Sequence, residues 1–199
     1  SHLVINVDCE VEKSFLNYRK QLQVDLVDYP GEWIADFSML EKDYSAWSDQ
    51  MFRQMGKGTR KELAKEFSDQ IYKIDSNDDS EEVVEVIAGL WSDYLEVAAS
   101  KGLVFNQPSR LLRPDYLRGS PVIRLFPLPI ARRDGPLFEK MSSRYEDYKK
   151  KVITPFYEDY FGKIDRQVVL VDVLKSLKLG KESFDEMFNG FEIGDGFSN

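Results

Sequence analysis

The feature that most constrains this chain is a run of apolar and aromatic side chains at helical spacing in its second half. Steps of three or four residues join Leu137, Met141, Tyr145, Tyr148, Val152, Phe156 and Tyr160. That spacing places them on one face of a helix, and such a face is buried against another layer of structure. We expect a kink at Pro155, because proline lacks the amide hydrogen that a helix uses. The chain is therefore predicted to build a core around one long helix.

Shorter periodic segments predict a helical region before it. Ser38 with Glu41, and Thr59 with Glu62, have the spacing of a capping box, in which two side chains satisfy each other's backbone amides. We therefore expect one helix to begin at Ser38 and another at Thr59. An acidic stretch at residues 75–82 precedes a third apolar stripe, and its negative charge suits the N-terminus of a helix.

Four other segments have the composition of strands. Residues 3–9 and 22–27 are rich in branched aliphatic side chains and predict an antiparallel pair with a long or partly helical connection. Residues 121–126 predict a short strand closed by prolines. The nearly continuous apolar run at 167–173 is typical of a strand that is covered on both faces in a parallel sheet. Asp172 is expected to cap the next helix rather than to face a nucleotide crevice.

Charge and composition exclude several classes of function. The 199 residues include 35 Asp and Glu against 27 Lys and Arg, a net charge of -8 that disfavours general nucleic-acid binding. The single cysteine, Cys9, has no partner for an internal disulfide, and the single histidine, His2, disfavours zinc sites and histidine-based hydrolysis. No apolar run approaches the roughly 20 residues that cross a bilayer. We expect a cytoplasmic protein, with peripheral attachment to the inner membrane as the alternative.

Arginines are concentrated in and after a connecting loop at residues 106–120. This group comprises Arg110, Arg113, Arg118, Arg124, Arg132 and Arg133. We expect them to be solvated loop charge, because surface arginines are common. The alternative is that one of them reaches a transition state as an arginine finger.

The segment with the clearest chemistry is the end of the second strand. In VDLVDYPGEW, residues 24–33, an apolar run ends at Asp28, and Gly31 follows after two intervening residues. In phosphate-binding α/β proteins such an acid reaches the water shell of Mg²⁺, and such a glycine amide donates to a γ-phosphate. Glu32 then stands where an attacking water is oriented. On spacing alone, an ordinary turn remains the alternative, since Asp, Pro and Gly favour turns.

Longer strings make the pattern more specific. VDLVDYPGEW, SAWS at 45–48, FPLP at 126–129 and DRQVVLVDVL at 165–174 follow one another in this chain. In this order they resemble the YcjX-like family of bacterial stress-associated P-loop NTPases, and the resemblance covers nearly the whole chain. It implies a Ras-like nucleotide-binding core in which Asp28 to Gly31 is the Walker B or switch II element. It also implies hydrolysis of GTP, or of ATP, with Mg²⁺ held through Asp28, the γ-phosphate at Gly31 and water at Glu32.

The sequence also departs from the family. The glycine-rich GK[ST] loop is absent, since the Gly-Lys pairs at 56, 162 and 180 lack its context, and so is the base-specifying segment. We therefore expect an interior fragment that binds nucleotide poorly by itself, because the phosphates lose most of their donors. The expected fold class is α/β, a partial Ras-like P-loop NTPase sheet with a large helical insertion.

The long stretch between Gly31 and the apolar run at 167–173 requires that insertion. We expect core strands and switch II in residues 1–35, a helical lobe in 36–118, and a return to the core in 119–199 with a short strand, the long helix, a buried strand and C-terminal helices. A lobe of this kind is purely structural, or it signals the nucleotide state to a protein partner. The competing class is a non-enzymatic helical module that binds a protein or a membrane surface.

Overall fold

The computed structural model describes residues 2–13 and 16–195, and the chain divides into two units, Ser1–Gly31 and Glu32–Asn199. The first contains strands β1, His2–Lys13, and β2, Leu16–Val27. The second contains helices α1 Tyr44–Met55, α2 Gly58–Leu63, α3 Lys65–Ile71, α4 Glu81–Ser100, α5 Pro136–Tyr148, α6 Thr154–Asp159, α7 Val173–Leu179 and α8 Lys181–Asp195. Within the described residues the chain is thus mainly helical, with a two-stranded antiparallel sheet.

The first unit is a β-hairpin. β1 and β2 pair in antiparallel register from His2 opposite Val27 to Lys13 opposite Leu16, which confirms the predicted pair. The predicted long or partly helical connection is wrong, because both strands continue through it. Beyond Cys9, the ion pair between Glu10 and Arg19 joins the two strands, with Oε1 and Nη2 3.2 Å apart.

The first helices of the second unit begin at caps other than the predicted ones. Ser38 lies in a 3₁₀ helix, Gly31–Met39, and α1 is capped instead by Asp43, whose carboxylate accepts the Ala46 amide at 2.7 Å. The capping box at Thr59 is also wrong, because the Thr59 amide donates to a carboxylate of α8. α4 is capped by Ser80 and carries two acidic residues in its first turn, as predicted from its acidic approach.

The long helical face predicted from the sequence is present. α5, a π-helical turn Lys149–Ile153 and α6 follow one another without interruption. The predicted face is buried from Leu137 through Val152, whereas Tyr160 is 56% exposed. The π-helical turn lies just before Pro155, which has no amide hydrogen to donate to the helix. This wider turn accommodates the missing hydrogen bond and changes the phase of the helix.

Two predicted strands are not formed. Residues 121–126 contain a 3₁₀ turn, Pro121–Ile123, followed by chain without regular structure in which Leu125 and Phe126 are buried. Residues 164–172 have no regular structure, and their apolar side chains are exposed, with Leu170 91% accessible. A parallel strand needs neighbouring strands, and the described residues offer this run none. Asp172 does cap α7 as predicted, because its Oδ1 accepts the Lys175 amide at 2.9 Å.

Large aromatic side chains form the core of the second unit. Trp47, Trp91, Tyr44, Tyr145 and Phe67 are almost completely buried. The phenol of Tyr145 donates to the Met39 carbonyl at 2.9 Å, so it is both packed and satisfied. In the part of the chain that the structure describes, no helix combines the length and the apolar composition that a bilayer requires.

Candidate functional site

The predicted nucleotide residues lie where the hairpin ends and the helical unit begins. Asp28 follows β2 directly and is exposed, and Gly31 begins the 3₁₀ helix Gly31–Met39. A Cβ added at Gly31 would meet no described atom within 4 Å, so packing within the described chain does not require a glycine here. Asp28 and Gly31 belong to the first unit, and Glu32 is the first residue of the second.

Glu32 faces the loop that follows α4. Its Oε1 lies 3.7 Å from Nε of Arg113, in a pair whose arginine side chain is 69% exposed. An exposed pair of this length is weak and can be broken at little cost. Glu32 can therefore change partner. The described residues contain no group of three metal-ligating side chains, so any Mg²⁺ here would depend on one carboxylate, water and phosphate oxygens.

Trp33 packs against Arg110, an arginine that we expected from the sequence to be exposed to solvent. The Arg110 guanidinium carbon lies 3.1 Å from the centroid of the indole ring, and Arg110 is only 5% exposed. Burial lowers the pKa of Arg110, and nearby tyrosines and Asp36 partly compensate. Phe156 of α6 packs edge-on against the same indole, with the ring centroids 5.1 Å apart. Trp33 is thus a packing anchor, and the prediction of solvated charge is wrong for Arg110.

The other loop arginines divide into two kinds. Arg113 and Arg118 are exposed, as expected. Arg133 donates to Asp49 at 2.7 Å with only 14% of its side chain accessible, and Arg132 donates to the Tyr72 carbonyl. These contacts join distant parts of the helical unit, so they are structural ties.

A buried carboxylate lies three residues beyond the indole. Asp36 is 3% exposed, and its oxygens accept the Ser109 amide at 2.9 Å, the Ser109 hydroxyl at 2.8 Å and the Tyr148 hydroxyl at 2.6 Å. Burial raises the pKa of Asp36 to about 6, against the lowering effect of these hydrogen bonds and of Arg110. Desolvation therefore outweighs three good donors. Sequence analysis missed this group, whose only signal is an acid inside the apolar run WIADF.

The same loop contacts the segment a second time. The Gln107 side-chain amide donates to the Ser38 hydroxyl at 2.8 Å and to the Ala35 carbonyl. Gln107, Ser109 and Arg110 are all buried, although residues 106–120 were expected to be a connecting loop of mixed composition. The loop is therefore part of the packing around Glu32–Met39.

A second buried charge cluster joins the last helix to the second. Arg60 makes a two-pronged ion pair with Glu186, with both N···O distances 2.9 Å, and its remaining nitrogen donates to Tyr94 and Asn106. Glu182, one turn earlier, accepts the Thr59 amide. A surface pocket of about 390 Å³ lies against α2 and α8 here, away from Glu32. Since its charged groups already pair with one another, we assign this cluster a structural role.

Comparison with known proteins places these features in a family. The model of the YcjX-like family, DUF463, matches residues 1–193. A protein of Escherichia coli strain K12 called Ras-like GTPase YcjX is 35% identical over 181 residues, which are 83% of this chain and 38% of that protein. A protein of the same name from Shewanella oneidensis is 32% identical over 180 residues, 83% of this chain and 37% of its own length.

The chain thus spans less than two fifths of the length of these two relatives. The family match, by contrast, runs from the hairpin through the helical unit and into α8. It includes Asp28, Gly31 and Glu32 as well as the buried Asp36 and Arg60. On this match, the chain belongs to the YcjX-like family.

Proposed function

We propose that this chain is part of a GTPase in which Asp28 holds Mg²⁺ through water, Gly31 donates its amide to the γ-phosphate, and Glu32 orients the attacking water. The observation that carries the proposal is the Asp28, Gly31 and Glu32 spacing at the end of β2, in a chain whose relatives are named Ras-like GTPases. ATP is the alternative substrate. The chemistry required is positioning and charge stabilisation, which a carboxylate, a metal ion and a backbone amide supply.

The local structure supports these roles. Asp28 stands at the carboxyl end of a strand, where α/β folds bind phosphates. Gly31 leaves open space where a Cβ would point, which permits close approach of a phosphate oxygen. Among the described residues, Glu32 pairs with Arg113 at a distance of 3.7 Å, so reorientation toward a water costs little.

The exposed apolar strands support a partial Ras-like sheet as part of the same proposal. Several side chains of the hairpin are substantially exposed, among them Leu3, Val4, Leu22 and Leu26, and so are those of residues 168–171. The chain spans 38% of its Escherichia coli relative, so further strands outside it are available to cover these surfaces. In the full-length protein we expect strong hydrogen-exchange protection at residues 167–173; absence of protection would contradict the sheet.

The roles of the three segments, 1–35, 36–118 and 119–199, follow from this sheet: the first and last complete it, and the middle one is a lobe that a protein partner can contact. The proposal also includes a cytoplasmic location, since Cys9 has no internal disulfide partner. A role in bacterial stress stays a prediction of the family resemblance.

Mg²⁺-dependent GTP hydrolysis by the full-length protein tests the proposal. We expect Asp28→Asn to abolish turnover, because the neutral amide holds the metal's water shell weakly, and Glu32→Gln to slow turnover while nucleotide binding is retained. Asp25→Asn is the matched control, since Asp25 is an exposed acid within β2, three residues before the exposed Asp28. Turnover that Asp28→Asn leaves unchanged would count against the enzyme and favour a non-enzymatic interaction module.

The 199-residue chain provides a second test. It has no GxxxxGK[ST] loop, so most donors to the β- and γ-phosphates are missing. Calorimetry with GTP and Mg²⁺ should therefore detect no tight binding to this chain. Submicromolar affinity would refute the assignment of the missing donors to that loop.

A further inference from the structure

The segment from Glu32 to Ser38, which follows the predicted nucleotide-binding residues Asp28 and Gly31, contacts other parts of the helical unit along its whole length. From Glu32 to Ser38, its side chains contact Arg113, Arg110, Ser109, Tyr148 and Gln107 in chain order along the segment. Four of these partners lie in the loop between α4 and α5, and Tyr148 ends α5. The loop and α5 therefore form one surface that holds the segment.

The contact at Asp36 is the least replaceable of these. Its three donors come from two different parts of the fold, so they fix both the position and the direction of the carboxylate. A shift of the segment would leave a buried acid without donors, which is costly, whereas the Glu32 pair is exposed and weak. The arrangement is thus rigid at Asp36 and yielding at Glu32, one turn apart.

We propose that Asp36 is a positioning residue: through Ser109 and Tyr148 it fixes the backbone that carries Glu32, so that the weakly paired Glu32 side chain turns toward the attacking water from a fixed point. This inference rests on the proposed function.

Kinetics of the full-length protein separate positioning from general stability. Asp36→Asn replaces one carboxylate oxygen with an NH₂ group that faces at least one of these donors, so the segment is held less firmly. Because the phosphate-binding groups are untouched, we expect kcat to fall about tenfold or more at unchanged KM for GTP, as misplacement of a reacting group does. Tyr148→Phe removes one hydroxyl and should lower kcat in the same direction by less, and it remains informative if Asp36→Asn folds poorly.

The matched control is Asp49→Asn, which weakens the Arg133 ion pair and touches none of the described groups that hold Glu32–Ser38. With turnover expressed per nucleotide-binding site, kcat of Asp49→Asn should equal that of the unmodified protein. In the 199-residue chain, Asp36→Asn should speed hydrogen exchange of the amides at 33–39 and leave those in the middle of α4 unchanged. The hydrogen-exchange measurement does not depend on GTP hydrolysis.

The outcomes are distinguishable. Loss of kcat in Asp36→Asn and Tyr148→Phe but not in Asp49→Asn supports positioning. Equal loss in Asp36→Asn and Asp49→Asn, or normal kcat in Asp36→Asn, overturns the role of Asp36 and leaves the GTPase proposal standing. Absence of GTP turnover in the unmodified full-length protein overturns both.

Discussion

The buried carboxyl of Asp36 should make folding stability depend on pH in a direction unusual for an acid. Its pKa is about 6 in the folded chain and 3.8 in an ordinary environment. Between these values the folded state keeps a proton that the unfolded state has lost. The free energy of unfolding must therefore fall as pH rises through this interval and level off above it. Most partnered acids have a lowered pKa and produce the opposite slope.

The size of the effect follows from the interval. About 1.4 kcal/mol for each pH unit between 3.8 and about 6 gives a total near 3 kcal/mol. About 1 kcal/mol of this is already lost at pH 4.5, so about 2 kcal/mol remains between pH 4.5 and 7. Asp36→Asn has no titrating group and should lack this component. The unfolding free energy of the unmodified chain, minus that of Asp36→Asn, should thus decline by about 2 kcal/mol over the range.

Urea unfolding followed by tryptophan fluorescence, at constant ionic strength, measures this difference. Subtraction removes other groups, including Glu81, whose pKa falls to about 2 chiefly through Arg144 and whose stabilisation is lost as pH falls below about 4.5. Tyr148 and Arg110, the titratable neighbours of Asp36, stay neutral and charged respectively over this range. A difference that is constant with pH, or that increases with it, would refute the reasoning about desolvation.

Two further predictions concern the attachment of α8. Glu186→Gln should lower the free energy of unfolding by about 3 kcal/mol, because it leaves the buried Arg60 charge incompletely paired; denaturant titration measures this, and a loss below 1 kcal/mol would show the pair to be dispensable. Gly102→Ala should destabilise the chain more than Gly119→Ala. Both glycines have a left-handed φ, near +80°, but a Cβ at Gly102 would lie 2.3 Å from the Ser183 hydroxyl, and one at Gly119 would meet no described atom within 4 Å. Equal changes in thermal midpoint would contradict tight docking of α8.

The parts of the fold that the sequence predicted well depend on local periodicity. The buried face of α5 and the antiparallel pairing of β1 with β2 follow from spacing within one segment. The π-helical turn before Pro155 was not predicted, since it reflects how one helix accommodates a missing amide under its particular packing. The predicted capping boxes at Ser38 and Thr59 are not formed for a related reason. A capping pattern is only four residues long, and tertiary contacts decide whether its side chains bind the backbone amides of a helix.

The contacts of Asp36 and Arg110 were outside the reach of sequence reasoning for a different reason. Arg110 is buried because Trp33 lies under it, and these residues are 77 positions apart in the chain. Composition alone places arginine at the surface, because burial of a charge is tolerated only where a specific partner compensates it. Such partners become visible only after folding. Asp28, Gly31 and Glu32, by contrast, are close together in sequence, and so their pattern could be identified beforehand.

Apolar side chains within the unit Glu32–Asn199 differ in how completely they are covered, and this difference bears on what the sequence pattern at 167–173 means. In Glu32–Asn199 the large aromatic side chains Trp47 and Trp91 are almost fully buried, so this unit supplies its own core. The run at 168–171 exposes every one of its side chains, although branched aliphatic residues on both faces are typical of a covered strand. Natural selection acts on a sequence within the complete protein. The apolar pattern at 168–171 therefore reflects the surroundings of this run in the complete protein, whereas its exposure here reflects only the surroundings that this chain provides. If the proposed Ras-like sheet is correct, residues 167–173 are therefore where a neighbouring strand should be sought in the full-length protein.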